Sequence, residues 1–182
     1  MLIAQEKRKT NIAEYILYIW QLEDLFRALN FDMEKVGSVL VSQFNVDENT
    51  RLDIYQYYKN MVLMMEKEQV KEKGHIQAIK NVTDDLNHFH LLLLKSPDDR
   101  QYKALYQIAK PLLDEFRLKS NDVNAHDVQV MLQALYSVML LKLQQKPITK
   151  GTEQATGHIS KLAGHLAARF KQNEEGDFDL YE

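Results

Sequence analysis

The sequence predicts an all-α fold, a single-domain bundle of six to seven helices over residues 1–182. Three observations carry that prediction. Only 6 glycines and 3 prolines punctuate the chain, so turns are few and elements long. The stretch Asn11–Leu29, NIAEYILYIWQLEDLFRAL, is apolar on almost every side of a helical wheel, yet its continuous apolar run is too short to span a bilayer. Further on, apolar residues recur in alternating steps of three and four, the spacing of a seam between antiparallel helices.

The first helix is expected to start at Asn11, a capping residue with Glu14 three positions on completing a capping box. Asn30-Phe31-Asp32 reads as a turn, with Asp32 capping a short helix from Met33 to about Phe44 that turns Val36, Val39, Leu40 and Phe44 inward. The β-branched run there lacks the alternation of a strand. Asn45, Asp47 and Asn49 then cap a helix from about Glu48 to Lys73. Its apolar line stops at Met65, so Glu66–Lys73 reads as a polar helix end projecting into solvent, closed by Gly74.

From Ile76 to Lys95 the seam is Ile79, Val82, Leu86, Phe89 and Leu93. Ser96-Pro97-Asp98-Asp99 announces the next helix, with proline at its first position and acids in its first turn. Pro111 predicts a kink or break in that helix near Lys110. Asn124 and Asp127 read as a capping box for a strongly apolar helix to about Gln145, the second central element beside Asn11–Leu29. The last helix, about Thr149 to Gln172, carries Gly151, Ala155, Gly157, Gly164 and Ala168, which would permit close backbone approach to a neighbour. The acidic tail, residues 171–182, is expected to fray.

Composition bounds the function. With no cysteine, disulfides, zinc-thiolate sites and thiol catalysis are excluded. A net charge of -3 offers no electrostatic footprint for nucleic acid or anionic lipid. The opening MLIAQEKRKT lacks the apolar core of a signal peptide, so the cytoplasm is the expected compartment. Walker, Rossmann and nucleophile-elbow glycine patterns are absent, and the tyrosines come without a basic patch.

Glu23 is the most informative residue. It falls in the apolar arc between Ile16, Ile19 and Phe26, where an unpaired carboxylate is costly, so it demands a partner. Arg27, one turn on, is the nearest candidate, and a structural Glu23–Arg27 pair is the expectation, with a polar pocket inside the bundle as the rival. Asp85-x-x-His88 has the spacing of a di-iron bundle half-site, but both residues fall opposite the seam, whereas such ligands project inward. His90 borders the seam and reads as a core-edge histidine. His126-Asp127 matches the dipeptide of the helical HD phosphohydrolases, although Asp127 is already explained by capping. His158 and His165 share a face but lie two turns apart, too far for one metal. No catalytic, cofactor-binding or metal-binding residue is assigned.

The opening MLIAQEKRKTNIAEYILYIWQLEDLFRA, the HFHLLLLKSPDD junction and the total length together resemble a bacterial family of all-helical proteins classed only as a domain of unknown function. That resemblance implies a cytoplasmic bacterial helical protein and brings no substrate or catalytic residue with it. The functional expectation is a non-enzymatic helical module that binds an unknown protein partner or associates with itself, without cofactor, nucleic acid or membrane. Its candidate surfaces are the Glu66–Lys73 segment and the last helix. The alternative is a helical hydrolase or metal-dependent enzyme, HD-like or of the di-metal type, using inward-facing acids and histidines.

Overall fold

The computed structural model describes residues 2–97 and 99–178, and among them it is helical, with no strand. Eight α-helices occur in this order: α1 Leu2–Thr10, α2 Ile12–Ala28, α3 Met33–Lys35, α4 Glu48–Lys67, α5 Gln77–Lys95, α6 Arg100–Ser120, α7 Asp127–Leu143 and α8 Lys150–Glu175. That is one more than the upper expectation. The extra element is α1, which the basic opening did not announce and which breaks from α2 at Asn11. By backbone contacts the described residues form two compact units, residues 2–8 with 14–81 and residues 9–13 with 82–178.

In the first unit α2 is the buried element: Ile16, Ile19, Trp20, Leu22, Glu23 and Phe26 are all withdrawn from solvent. It stops in a Schellman arrangement, with Asn30 N–H on the Arg27 carbonyl, Phe31 N–H on the Phe26 carbonyl, and both residues at positive φ. Asp32 then caps α3 by accepting from the Glu34 and Lys35 amides, as its position predicted. The expected regular helix to Phe44 does not form. A π-turn, Val36–Leu40, and a 3-10 turn, Val41–Gln43, follow α3 instead. The five-residue step of the π-turn puts Val36 and Val41 inward together and leaves Val39 exposed. Gly37 lies where a Cβ would come within 3.3 Å of the Tyr55 ring, so the turn packs closely on α4.

Helix α4 begins at the Asp47 cap, whose carboxylate accepts from Thr50 N–H at 3.0 Å, and buries Ile54, Tyr58, Met61, Val62 and Met65. It ends six residues earlier than the sequence suggested. Gln69 takes a left-handed φ of 58°, Val70 N–H bonds the Met65 carbonyl, and Val70 itself is buried. Residues 68–76 therefore form a loop, not a helix end in solvent, and Gly74 lies within that loop at φ 86°.

In the second unit α6, α7 and α8 pack against one another, and α5 brings Phe89 edge-on to Phe170 of α8. The seam residues Ile79, Leu86, Phe89 and Leu93 are buried as predicted, whereas Val82 is only half-buried and its neighbour Thr83 is buried instead. Asp99 caps α6, which starts later than the Ser96-Pro97 signal implied; Asp98 lies outside the described residues. Helix α6 runs through Pro111 without a break. His126, not Asn124, caps α7, through Nδ1 accepting from Gln129 N–H at 3.1 Å. Helix α7 is most deeply buried in its first half: Val128, Val130, Met131, Leu132 and Ala134 are buried, and further on only Val138 is, with Leu135, Met139, Leu140 and Leu141 half-buried. Helix α8 continues to Glu175, so the first residues assigned to a fraying tail are helical; residues 179–182 lie outside the described residues. Its Gly157 and Gly164 face open space rather than a neighbouring backbone, and Ala163 and Ala167 supply the buried small residues instead.

Candidate functional site

Glu23 is completely buried, as its place in the apolar arc of α2 requires. Its partners come from the loop after α4, not from Arg27. The His75 Nδ1 lies 2.5 Å from Oε2, and the Ile76 amide donates to Oε1 at 2.9 Å. A carboxylate only accepts, so Nδ1 carries a proton, and Nε2 points away from Glu23. The His75 ring stacks on Trp20, centroids 4.4 Å apart and planes within 10°. The imidazole is thus fixed in orientation, with a side chain still 31% exposed.

Arg27 does a separate job. Its Nη1 donates to Asp24 at 2.8 Å, its Nε to the Lys71 carbonyl at 3.1 Å, and its Nη2 to the Val70 carbonyl at 2.9 Å and to the Gly74 carbonyl. One guanidinium therefore gathers three carbonyls of the 68–76 loop, which the fork geometry of arginine suits. Glu23 and Arg27 are both tied to that loop and not to each other. The segment read from sequence as a free surface is the one they hold down.

A carboxylate that orients a histidine through Nδ1–H is the geometry of a general base or of a metal ligand with an oriented second nitrogen. The surroundings supply little else. An opening of about 310 Å³ in this unit, lined by Tyr18, Leu22, Leu25 and Tyr58 among others, is bordered by neither Glu23 nor His75. Among the described residues no group of three or more His, Asp or Glu side chains is placed to hold a metal.

The second unit buries more polar chemistry. Asp99 is 2% exposed and accepts from Tyr102 N–H at 2.8 Å, from His165 Nε2 at 2.7 Å and from Arg169 Nε at 2.6 Å. Burial alone would raise its carboxyl, but the hydrogen bonds from His165, the Tyr102 amide and Arg169 outweigh that and hold it below the usual aspartate range. Tyr102 stacks on His165 and places its hydroxyl 2.5 Å from His90 Nδ1. Burial pushes the Tyr102 hydroxyl up and the His90 imidazole down to about 4, against the pull of Asp127, so a neutral tyrosine donates to a neutral histidine. His90 Nε2 is buried without a partner and borders a gap with Leu113, Met131 and Leu162 that is too small for a water.

Beside it, Arg117 pairs with Asp114 and Asp127 and donates to the Ala125 carbonyl, while the Tyr106 hydroxyl donates to Asp127 at 2.5 Å. Asp127 is thereby committed to joining α6 and α7. Its neighbour His126 is spent on the cap, with Nε2 3.3 Å from Asp84. Asp85 and His88 are exposed, on the outer face as predicted; His158 is exposed and His165 is held on Asp99, so those two do not converge. Sequence reading missed His75, Tyr102 and Arg169. Only Asp99 had a signal, its place just after the Ser96-Pro97 helix start.

A surface feature completes the picture. Helices α7 and α8 border a trough of about 630 Å³, with Leu135, Val138, Met139 and Leu143 on one side and Thr156 and Gly157 on the other. Leu143 is 61% exposed. Lys142 and Glu153 edge the trough from opposite helices, and neither takes an ion-pair partner among the described residues.

Residues 1–177 match the family model described as domain of unknown function (DUF4924), and the chain belongs to that family. No curated protein and no solved structure matches it.

Proposed function

We propose that this member of a family without an assigned activity is a helical interaction module whose working surface is the α7–α8 trough. One observation carries the reading: the end of α7 lines an open trough with apolar side chains. Leu143 is 61% exposed and Leu135 and Met139 are half-buried, and all three line the trough, on a helix whose first half is core. Scattered surface apolar residues are ordinary, but Leu135, Met139 and Leu143, four residues apart along one face of α7 and lining a trough, mark a site that another surface covers. The buried polar clusters fit the same reading. Asp99, Asp127 and Glu23 are each held by several donors, which makes them fasteners of helix and loop rather than groups kept open for substrate.

The test is a photo-crosslinking residue placed in turn at Leu143, at Gly157 and, as a control on the outer face of α5, at Asp85. A discrete adduct from the first two positions and none from the third supports the module. Equal crosslinking from all three, or none from any, removes it.

The enzymatic reading has one observation in its favour, the Glu23–His75 dyad with its oriented second nitrogen. A catalytic histidine is expected to be dispensable for stability. His75→Gln at wild-type stability would support it; a loss above about 1 kcal/mol marks His75 as a structural pin.

A further inference from the structure

We propose that the surface covering the α7–α8 trough is the same trough on a second copy of this chain, related by a two-fold axis. This inference rests on the interaction-module reading and names its partner. An isologous interface requires a patch complementary to itself, so that each contact occurs twice. The trough meets that requirement in charge and in shape. Lys142 stands on α7 and Glu153 on α8, both lining the trough, and neither is paired within the described chain. A two-fold axis lying along the trough, in the plane of the interface, sets Lys142 of one copy against Glu153 of the other, and the reciprocal pair follows by symmetry.

The shape is complementary in the same sense. Leu143 stands out from the end of α7, 61% exposed, while the opposing wall at Gly157 is open: a Cβ built there would meet nothing within 4 Å. Leu143 of each copy is therefore a knob for the trough of the other, over Gly157. The result is two helical hairpins facing each other, a four-helix arrangement that buries the Leu135, Met139 and Leu143 face of both α7 helices. A partner lacking an acid and a base at matching positions would leave Lys142 or Glu153 at the interface without compensation.

The full-length protein is examined by sedimentation equilibrium over a range of concentrations reaching high micromolar. Wild type is expected to reach twice the chain mass. Leu143→Glu is expected to remain at the chain mass, and Lys142→Glu to weaken self-association by at least about tenfold, because it faces a like charge twice. Combining Lys142→Glu with Glu153→Lys should restore most of that loss; all three sites are exposed, and far-ultraviolet circular dichroism verifies that each variant folds. A wild type that stays at the chain mass overturns the inference, as does a dimer indifferent to both Leu143→Glu and Lys142→Glu. In the first case adducts at Leu143 and Gly157 to a different protein would leave the module reading standing without the second copy. The absence of any adduct would remove both.

Discussion

His75 Nδ1 donates to the buried carboxylate of Glu23 at 2.5 Å, across 52 residues of sequence. That bond, with the Ile76 amide on the other carboxylate oxygen, fixes the start of α5 against α2. A local partner four residues along the same helix was available in Arg27, and the fold uses it elsewhere.

The first prediction follows from that separation. Glu23→Leu leaves the Ile76 amide and His75 without their acceptor and should cost about 2–4 kcal/mol in urea melts. Adding Arg27→Met should give no recovery, because the two side chains do not compensate each other; it removes three carbonyl contacts from the same loop. A double variant more stable than Glu23→Leu alone would show that they act as a pair.

Asp99 combines a helix cap with two charge-assisted bonds in a nearly dry site. Asp99→Ala should therefore destabilise by roughly 3–5 kcal/mol, the cost of breaking a buried pair. The conservative Asp99→Asn keeps the cap acceptor and should lose less. A melt within about 0.5 kcal/mol of wild type for Asp99→Ala would contradict its fastening role.

His90 sets an acid limit. Burial lowers its imidazole from 6.5 to about 4, with Asp127 opposing and His126 adding to the shift. Above pH 6.5 it is neutral in both folded and unfolded chains and this contribution to stability is complete. Between 6.5 and 4 the unfolded chain takes up the proton first, so stability falls with falling pH, by up to about 3 kcal/mol once pH drops through the folded value. His90→Gln should flatten that part of the profile. An unchanged slope in the variant would assign the acid sensitivity to other groups.

Gly157 lies in the middle of α8 with open space around it. In the isolated chain Gly157→Ala should raise stability by about 0.5–1 kcal/mol, the helix-propensity difference. A loss in equilibrium melts performed where the chain is monomeric would mean that the position is crowded.

Much of the architecture was legible because capping is local chemistry. Asp32 and Asp47 cap where the sequence put them, and the seam of α5 needed only the three-four spacing. What failed depended on long-range contacts or on unusual backbone. The polar run Glu66–Lys73 looked helical because nothing in it breaks a helix. It is a loop because Gln69 accepts a left-handed φ and Val70 folds back onto Met65, while Arg27 collects its carbonyls. The π-turn at Val36–Leu40 exchanged Val39 for Val41 at the core, a shift no regular period predicts. For the site, burial of Glu23 and its need for a partner could be read from its apolar neighbours. The identity of that partner could not, since His75 has no signal in its own segment. The trough was missed for the opposite reason: α7 is apolar along its whole length, and periodicity does not tell a helix end covered by its own chain from one that waits for another.

The central claim, that the apolar end of α7 is covered in the working protein, is tested most directly by the accessibility of position 143. The chain contains no cysteine, so Leu143→Cys introduces a single thiol, and Asp85→Cys provides an exposed reference in a second sample. Maleimide labelling of intact cells is compared with labelling of each variant unfolded in urea. The predicted result is strong protection at position 143 and little at position 85. Equal labelling of both positions in cells would contradict the claim.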